Sequence, residues 1–474
     1  MLIGFIVAYL LITLLIGWWA SRRVHSTKDF VVAGRQLPLI IASTALFATW
    51  FGSETLMGAS SEFIEGGLIG VVEDPFGAAL CLILIGAFFA RRLYRLNILT
   101  FNDFFRKRFG ARAELVSAIF MVPSYFGWIA AQLVAMAVIL KTITGISFVT
   151  GIAVCTSVVL IYTYIGGMWA VSITDFMQTI LILVGLLILA YTANREAGGM
   201  EKVLASTPPG FFRFTPEANL HSIVHYIAAW ITIGLGSIPQ QDVFQRVMAA
   251  RSENVAVRAA YLSGAMYLTI AFIPLYIGLC AKVLYPELHQ DDPQMALPQM
   301  VLQHGGSFIQ ILFFGALLSA ILSTTSGAML APATVIGENL IKPRFKNLND
   351  KQLLRTMRMA VVFVAISSAF MASWKTNIYE LVGQSSALSL VSLFVPLTAG
   401  LYWRKSTNIG ALLSMTVGMG VWIVCEFMGT EIPPLIWGLL ASILGMLVGS
   451  YGWPDRSYAD FIEQESTEQN AEHA

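Results

Sequence analysis

Apolar residues in this chain run in long unbroken stretches and do not alternate with polar ones. A helix needs about 20 apolar residues to cross the hydrocarbon core of a bilayer. Read at that length, the chain predicts about thirteen membrane helices, over residues 2–21, 38–66, 68–90, 113–140, 147–165, 172–192, 222–248, 257–281, 307–340, 354–374, 377–402, 407–428 and 432–450. A membrane β-barrel is excluded, because its strands alternate apolar and polar positions. The first run is followed, not preceded, by Arg22 and Arg23 and shows no small-residue cleavage site, so it reads as a retained span.

The charged loops test this reading. With the N-terminus outside, 23 of the 29 Lys and Arg residues fall in the inner loops and the tail. The outer set is Lys141, Arg195, Lys202, Arg213, Lys282 and Lys375. Such asymmetry is what the positive-inside rule demands, and one missed span would scramble it. The expectation is a multi-pass plasma (inner) membrane protein with its N-terminus outside and its C-terminus cytoplasmic. The stretch 451–474 is polar and acidic and reads as a cytoplasmic tail.

Composition agrees. Hydrophobic residues make up 57% of the chain, charged residues only 12%, and mean hydropathy is +0.71. An ordinary soluble domain is about 25% charged. A disulfide scaffold and a disordered chain are thereby excluded. Net charge of +1 offers no field to nucleic acid. Cys81, Cys155, Cys280 and Cys425 lie apart in apolar runs and read as small buried hydrophobes. His221 and His225 have the i, i+4 spacing of a zinc pair but no third ligand nearby, so capping or interface roles are expected.

Three polar stretches fall near mid-span, where unusual backbone is tolerated only if it lines a cavity or is buried by protein. The first runs from Ala48 to Thr55 and carries Glu54. The second, Gly234 to Asp242, has two glycines and a proline and predicts a half-helix, a loop and a second half-helix. The third, Ala320 to Gly327, holds Ser323, Thr324, Thr325 and Ser326, whose hydroxyls suit a small hard cation. Interrupted helices at corresponding places in two halves signal an inverted-repeat transporter. The expected organisation is an N-terminal helix and cytoplasmic loop (1–37), a first repeat (38–192), an extracellular loop (193–221), a second repeat (222–402), two further helices (403–450) and the tail (451–474).

Ala33-Gly34-Arg35, the stretch Ile165-Gly166-Gly167-Met168-Trp169-Ala170-Val171-Ser172-Ile173-Thr174-Asp175-Phe176-Met177-Gln178, and the run Ser319 to Gly327 together resemble the sodium:solute symporter family. Ala48-Thr49-Trp50, Leu82 to Ala90, Ile238-Pro239 and Phe244-Gln245-Arg246-Val247 are most similar to its high-affinity choline transporter branch. The resemblance implies an all-α membrane protein with a LeuT-type inverted repeat of 5+5 core helices. It also implies sodium-coupled import of a small organic solute by alternating access, with Na+ as coupling ion. By position, the resemblance places the sodium site at the carbonyls of Ala48, Phe51 and Ala320 and the hydroxyls of Ser323 and Thr324. A second sodium site would draw on Asp175, Ser323 and Ser326, but the next position is Gly327 where a serine is common, which leaves the stoichiometry open.

The solute candidates are Trp50, Glu54, Thr55, Asp74, Trp128 and Gln240. Trp50 and Trp128 match two positions of the aromatic box that holds choline's quaternary ammonium, whereas Ala78 and Gln240 stand where choline transporters have aromatic residues. Glu73-Asp74-Pro75 reads either as an attractor of cations or as a solvated helix start. These residues point to an amine, zwitterion or amino acid of choline, betaine or proline type. A carboxylate, pantothenate or sugar symporter and a solute sensor of transporter descent are the alternatives. No paired metal-binding carboxylates or nucleophile motif supports an enzyme, and no obligate protein partner is implied.

Overall fold

The chain was analysed as a computed structural model that describes residues 2–24, 26–286, 294, 296–345, 347–455 and 461. Most of the expected tail lies outside the described residues. The architecture is all-helical. Among the described residues nine helices are long and apolar enough to cross a membrane, or ten if the bent pair Leu220–Gly236 and Gln241–Ala249 counts as one span. The count of thirteen is not reached on that criterion. The difference falls on 2–21, which is helical from Leu2 to Ser21, on 38–66, which is broken, and on 147–165, which opens with the shorter apolar helix Phe148–Ile161.

Two interruptions sit where the polar stretches predict them. The helix Leu39–Phe47 stops at Ala48, the backbone turns through Gly52, and helical geometry resumes around Glu54. The second span bends by 48° between Gly236 and Gln241, with Pro239 in the gap. A third break lies in Phe148–Glu196, at Gly167, where φ is +63°. That left-handed conformation is open to glycine and strained for other residues.

The hydroxyl stretch behaves differently from the other two. Ser307–Val335 is one continuous helix through Ala320 and Gly327. Thr325 and Thr334 hydrogen-bond the carbonyls of Ile321 and Leu330, one turn back. Hydroxyls bonded in this way need no gap in the helix. The hydroxyl stretch is thus part of an intact helix with a polar face.

Packing brings these segments together. Ser307–Val335 lies against both Phe148–Glu196 and Ala111–Thr144. The start of the first broken span is tied to the end of the second, because the Leu37 amide donates to Ala249 O and the Arg251 amide donates to Leu37 O, both at 2.9 Å. The last two helices, Asn408–Met428 and Pro434–Gly452, form a close hairpin with Ser414 and Ser442 hydroxyls 2.8 Å apart. Small residues let membrane helices approach in this way.

Candidate functional site

The break at Ala48 frees a carbonyl. In an unbroken helix the Gly52 amide would bond Ala48 O. Here it bonds Trp50 O at 2.7 Å instead. Ala48 O accepts the Thr324 hydroxyl from the Ser307–Val335 helix at 3.0 Å. Residues 276 positions apart thus meet at one oxygen pair. Phe51 sits in the same turn, and Ala320 lies one helical turn before Thr324. The backbone of Ser323 belongs to that helix, but its side chain lies outside the described residues. Gly52 permits the approach. A Cβ there would stand 3.0 Å from Gln132 Oε1 and 3.3 Å from Thr324 Oγ1.

Glu54 follows directly and is 1% exposed. Its two oxygens accept from Trp128 Nε1 at 3.1 Å and Gln132 Nε2 at 2.6 Å. Trp128 and Gln132 are four residues apart on one helix and so share a face. Gln132 also takes the Ser53 amide at 3.2 Å, which makes it a brace across the break. The sequence reading missed Gln132, although its i, i+4 spacing from Trp128 was a usable signal.

Thr55 donates to Asp74 Oδ2 at 2.6 Å, and its hydroxyl lies 3.5 Å from that of Tyr267. The Tyr267 ring packs against those of Phe47, Trp50 and Phe51 at centroid distances of 5.2–6.5 Å. Tyr267 was also missed, because a lone tyrosine in an apolar helix has no pattern to mark it. Asp74 is 1% exposed and its backbone is extended, with φ −140° and ψ 119°. Of the two readings of Glu73-Asp74-Pro75, the helix start fits the extended Asp74 directly before Pro75, but Asp74 is buried there and not solvated. Glu73 stands beside Gly383, with its carboxylate 3.2 Å from where a Cβ would be.

The six solute candidates are all buried, but the structure joins only five of them. Trp50, Glu54, Thr55, Asp74 and Trp128 form one connected group through the contacts above. Gln240 lies in the gap of the second bent span, 4% exposed, with its Oε1 unpartnered. Among the described residues no hydrogen bond or ring contact ties it to the others.

Asp175 has a cationic neighbour. Arg246 Nη2 stands 3.7 Å from Asp175 Oδ2 and its Nη1 3.8 Å from Asp242 Oδ2. Asp242 also accepts the Tyr125 hydroxyl at 2.6 Å. A Cβ on Gly327 would lie 2.6 Å from Arg246 Nη2. The guanidinium therefore fills the space that a serine at 327 would claim. Arg246 and Arg108 were counted as loop charges. They are 1% and 0% exposed. Arg108 is spent on Gly400 O, Ser406 O and the Ser406 hydroxyl.

Elsewhere, the His225 ring bonds His221 O and stacks on the His221 ring, and no metal-holding group of His, Cys, Asp or Glu occurs among the described residues. An apolar cavity of about 710 Å³ lined by Val122, Leu340, Met359 and Phe363 lies apart from this chemistry.

Known proteins share both sequence and fold with this chain. Residues 30–418 match the sodium:solute symporter family. The high-affinity choline transporter 1 of Drosophila melanogaster is 28% identical over 88% of this chain and 69% of its own length. The high-affinity proline transporter PutP of Bacillus subtilis (strain 168) is 28% identical over 91% and 94%. A Na+-coupled sialic acid symporter, solved substrate-bound in an outward-open state, superimposes with a TM-score of 0.82 at 18% identity, covering 96% of this chain and 98% of that one. Mhp1, a nucleobase-cation-symport-1 family transporter, gives 0.61 at 17% identity over 91% and 97%. The fold is the LeuT type, and the chain is a member of the sodium:solute symporter family.

Proposed function

We propose that this chain imports a small amine, amino acid or zwitterion together with sodium, by alternating access across the plasma membrane. The observation that carries the reading is the meeting of Ala48 O and the Thr324 hydroxyl at a helix break. Carbonyl and hydroxyl oxygens suit a small hard cation. When sodium enters, the Thr324 hydroxyl turns its lone pair to the ion and gives up its bond to Ala48. The Phe51 and Ala320 carbonyls would complete the set together with Ser323, whose side chain lies outside the described residues. Sodium then links the broken helix to the continuous helix Ser307–Val335, and this is how ion binding would favour one state of the carrier.

The solute reading rests on the carboxylates and rings around the same break, and it agrees with what the choline and proline transporters named above carry. A single sodium ion is favoured, because the Arg246 guanidinium beside Asp175 already supplies a positive charge where a second would sit. The proposed orientation, N-terminus outside, follows the loop charges. The two proposed repeats, 38–192 and 222–402, place one bent span in each.

Reconstitution into proteoliposomes with an inward sodium gradient tests the reading. Uptake of labelled proline or another small amine that collapses when potassium replaces sodium supports it. Uptake indifferent to the sodium gradient would overturn it. A sensor that binds without moving solute would show binding in the same preparation and no accumulation.

A further inference from the structure

Two carboxylates face the first break, and they are satisfied differently. Glu54 has a neutral N–H donor on each oxygen. Asp74 has one oxygen occupied by the Thr55 hydroxyl, while Oδ1 is buried with no hydrogen-bond partner. Neither residue makes an ion pair among the described residues. A buried carboxylate oxygen without a donor is costly in protein and more so at membrane depth. Such a group persists where a partner arrives from outside the chain. Sodium has its oxygen set elsewhere, at Ala48 and Thr324, so the partner for Asp74 is the solute.

The chemistry of that partner follows from the gap it fills. An oxygen lacking a donor is satisfied by an N–H, and a quaternary ammonium has none to give. A quaternary group is held by ring faces instead. The rings present, Trp50, Tyr267 and Trp128, flank the group formed by Thr55, Asp74 and Glu54.

We propose that Asp74 Oδ1 receives an N–H-bearing ammonium of the transported solute, so that the site selects primary, secondary or tertiary amines over their quaternary counterparts. Asp74 is then the specificity-determining residue of the site, held in place by Thr55. The proposal rests on the symport reading and narrows it.

Two methylation series in wild-type proteoliposomes test it, ethanolamine through choline and glycine through betaine, each competing for sodium-driven proline or ethanolamine uptake. Competition should persist through the dimethyl member and fall at least tenfold at the quaternary one. Asp74→Asn should lose uptake by at least tenfold while sodium still changes the tryptophan fluorescence. Thr55→Val should raise KM severalfold with kcat less affected. Choline or betaine competing as well as the lower amines would overturn the proposal and leave sodium symport standing. So would full uptake by Asp74→Asn. Sodium-driven uptake of sugars or carboxylates alone would overturn it too, while uptake without sodium dependence would instead sink the symport reading.

Discussion

Single side chains around the first break can be separated by what each contributes. In the proposed sodium site Thr324 would offer an oxygen to the ion. Thr324→Ala should therefore raise the sodium concentration for half-maximal uptake about tenfold, an effect of about 1.4 kcal/mol, with protein levels unchanged. A sodium activation curve that does not move would contradict the assignment. Trp128 contributes a hydrogen bond to a buried carboxylate, of a kind worth roughly 1.5–3 kcal/mol. Trp128→Phe keeps the ring and loses the donor, so thermal unfolding in detergent should fall by a few degrees, and Trp128→Leu should lower it further. Equal stability of Trp128→Phe and wild type would show that Glu54 is held by other groups. Arg246 stands between two buried carboxylates, and removing one partner from such a set costs about 3–5 kcal/mol. Arg246→Gln should thus be the least stable of these variants, and Arg246→Lys should recover part of the loss.

At the scale of elements, the sequence was informative where backbone chemistry dictated the shape. The first half-helix runs through Gly234 and ends at Gly236, Pro239 falls in the gap, and the span bends there by 48°. Gly166-Gly167 marked the end of one expected span, and the long helix breaks at Gly167. The hydroxyl run left its backbone open, because serine and threonine tolerate a gap in the helix or a bond to the preceding turn, and only packing decides between them. Arg246 misled because its packing was likewise not legible. Position along the chain placed it near an inner loop, whereas its environment depends on Asp175, 71 residues earlier, and on a helix end that sequence does not locate. Asp74 was readable as acidic but not as buried, because burial depends on Thr55 and Tyr267 from other helices. Gly52 follows from the same logic. Its Cβ would press on Gln132 and Thr324, so Gly52→Ala should weaken sodium activation severalfold while helical content by circular dichroism stays constant. Unchanged sodium affinity in that variant would show that the turn and the Ser307–Val335 helix need not touch.

Across the whole molecule, the same few contacts tie distant parts of the chain. Leu37 pairs with Ala249 and Arg251, Thr324 with Ala48, and Arg246 with Asp175 and Asp242. If Arg246 stands in for a second ion, sodium activation of uptake should be hyperbolic with a Hill coefficient near one. A coefficient approaching two would contradict a single ion.

The uncompensated carboxylate at Asp74 also has an electrical consequence. A solute that enters as a cation with one sodium moves two positive charges inward, and each charge gains about 2.3 kcal/mol per 100 mV of interior-negative potential. That is roughly fifty-fold in accumulation for each charge, so a valinomycin-clamped voltage would govern how steeply this carrier concentrates its cargo, beyond what the sodium ratio supplies.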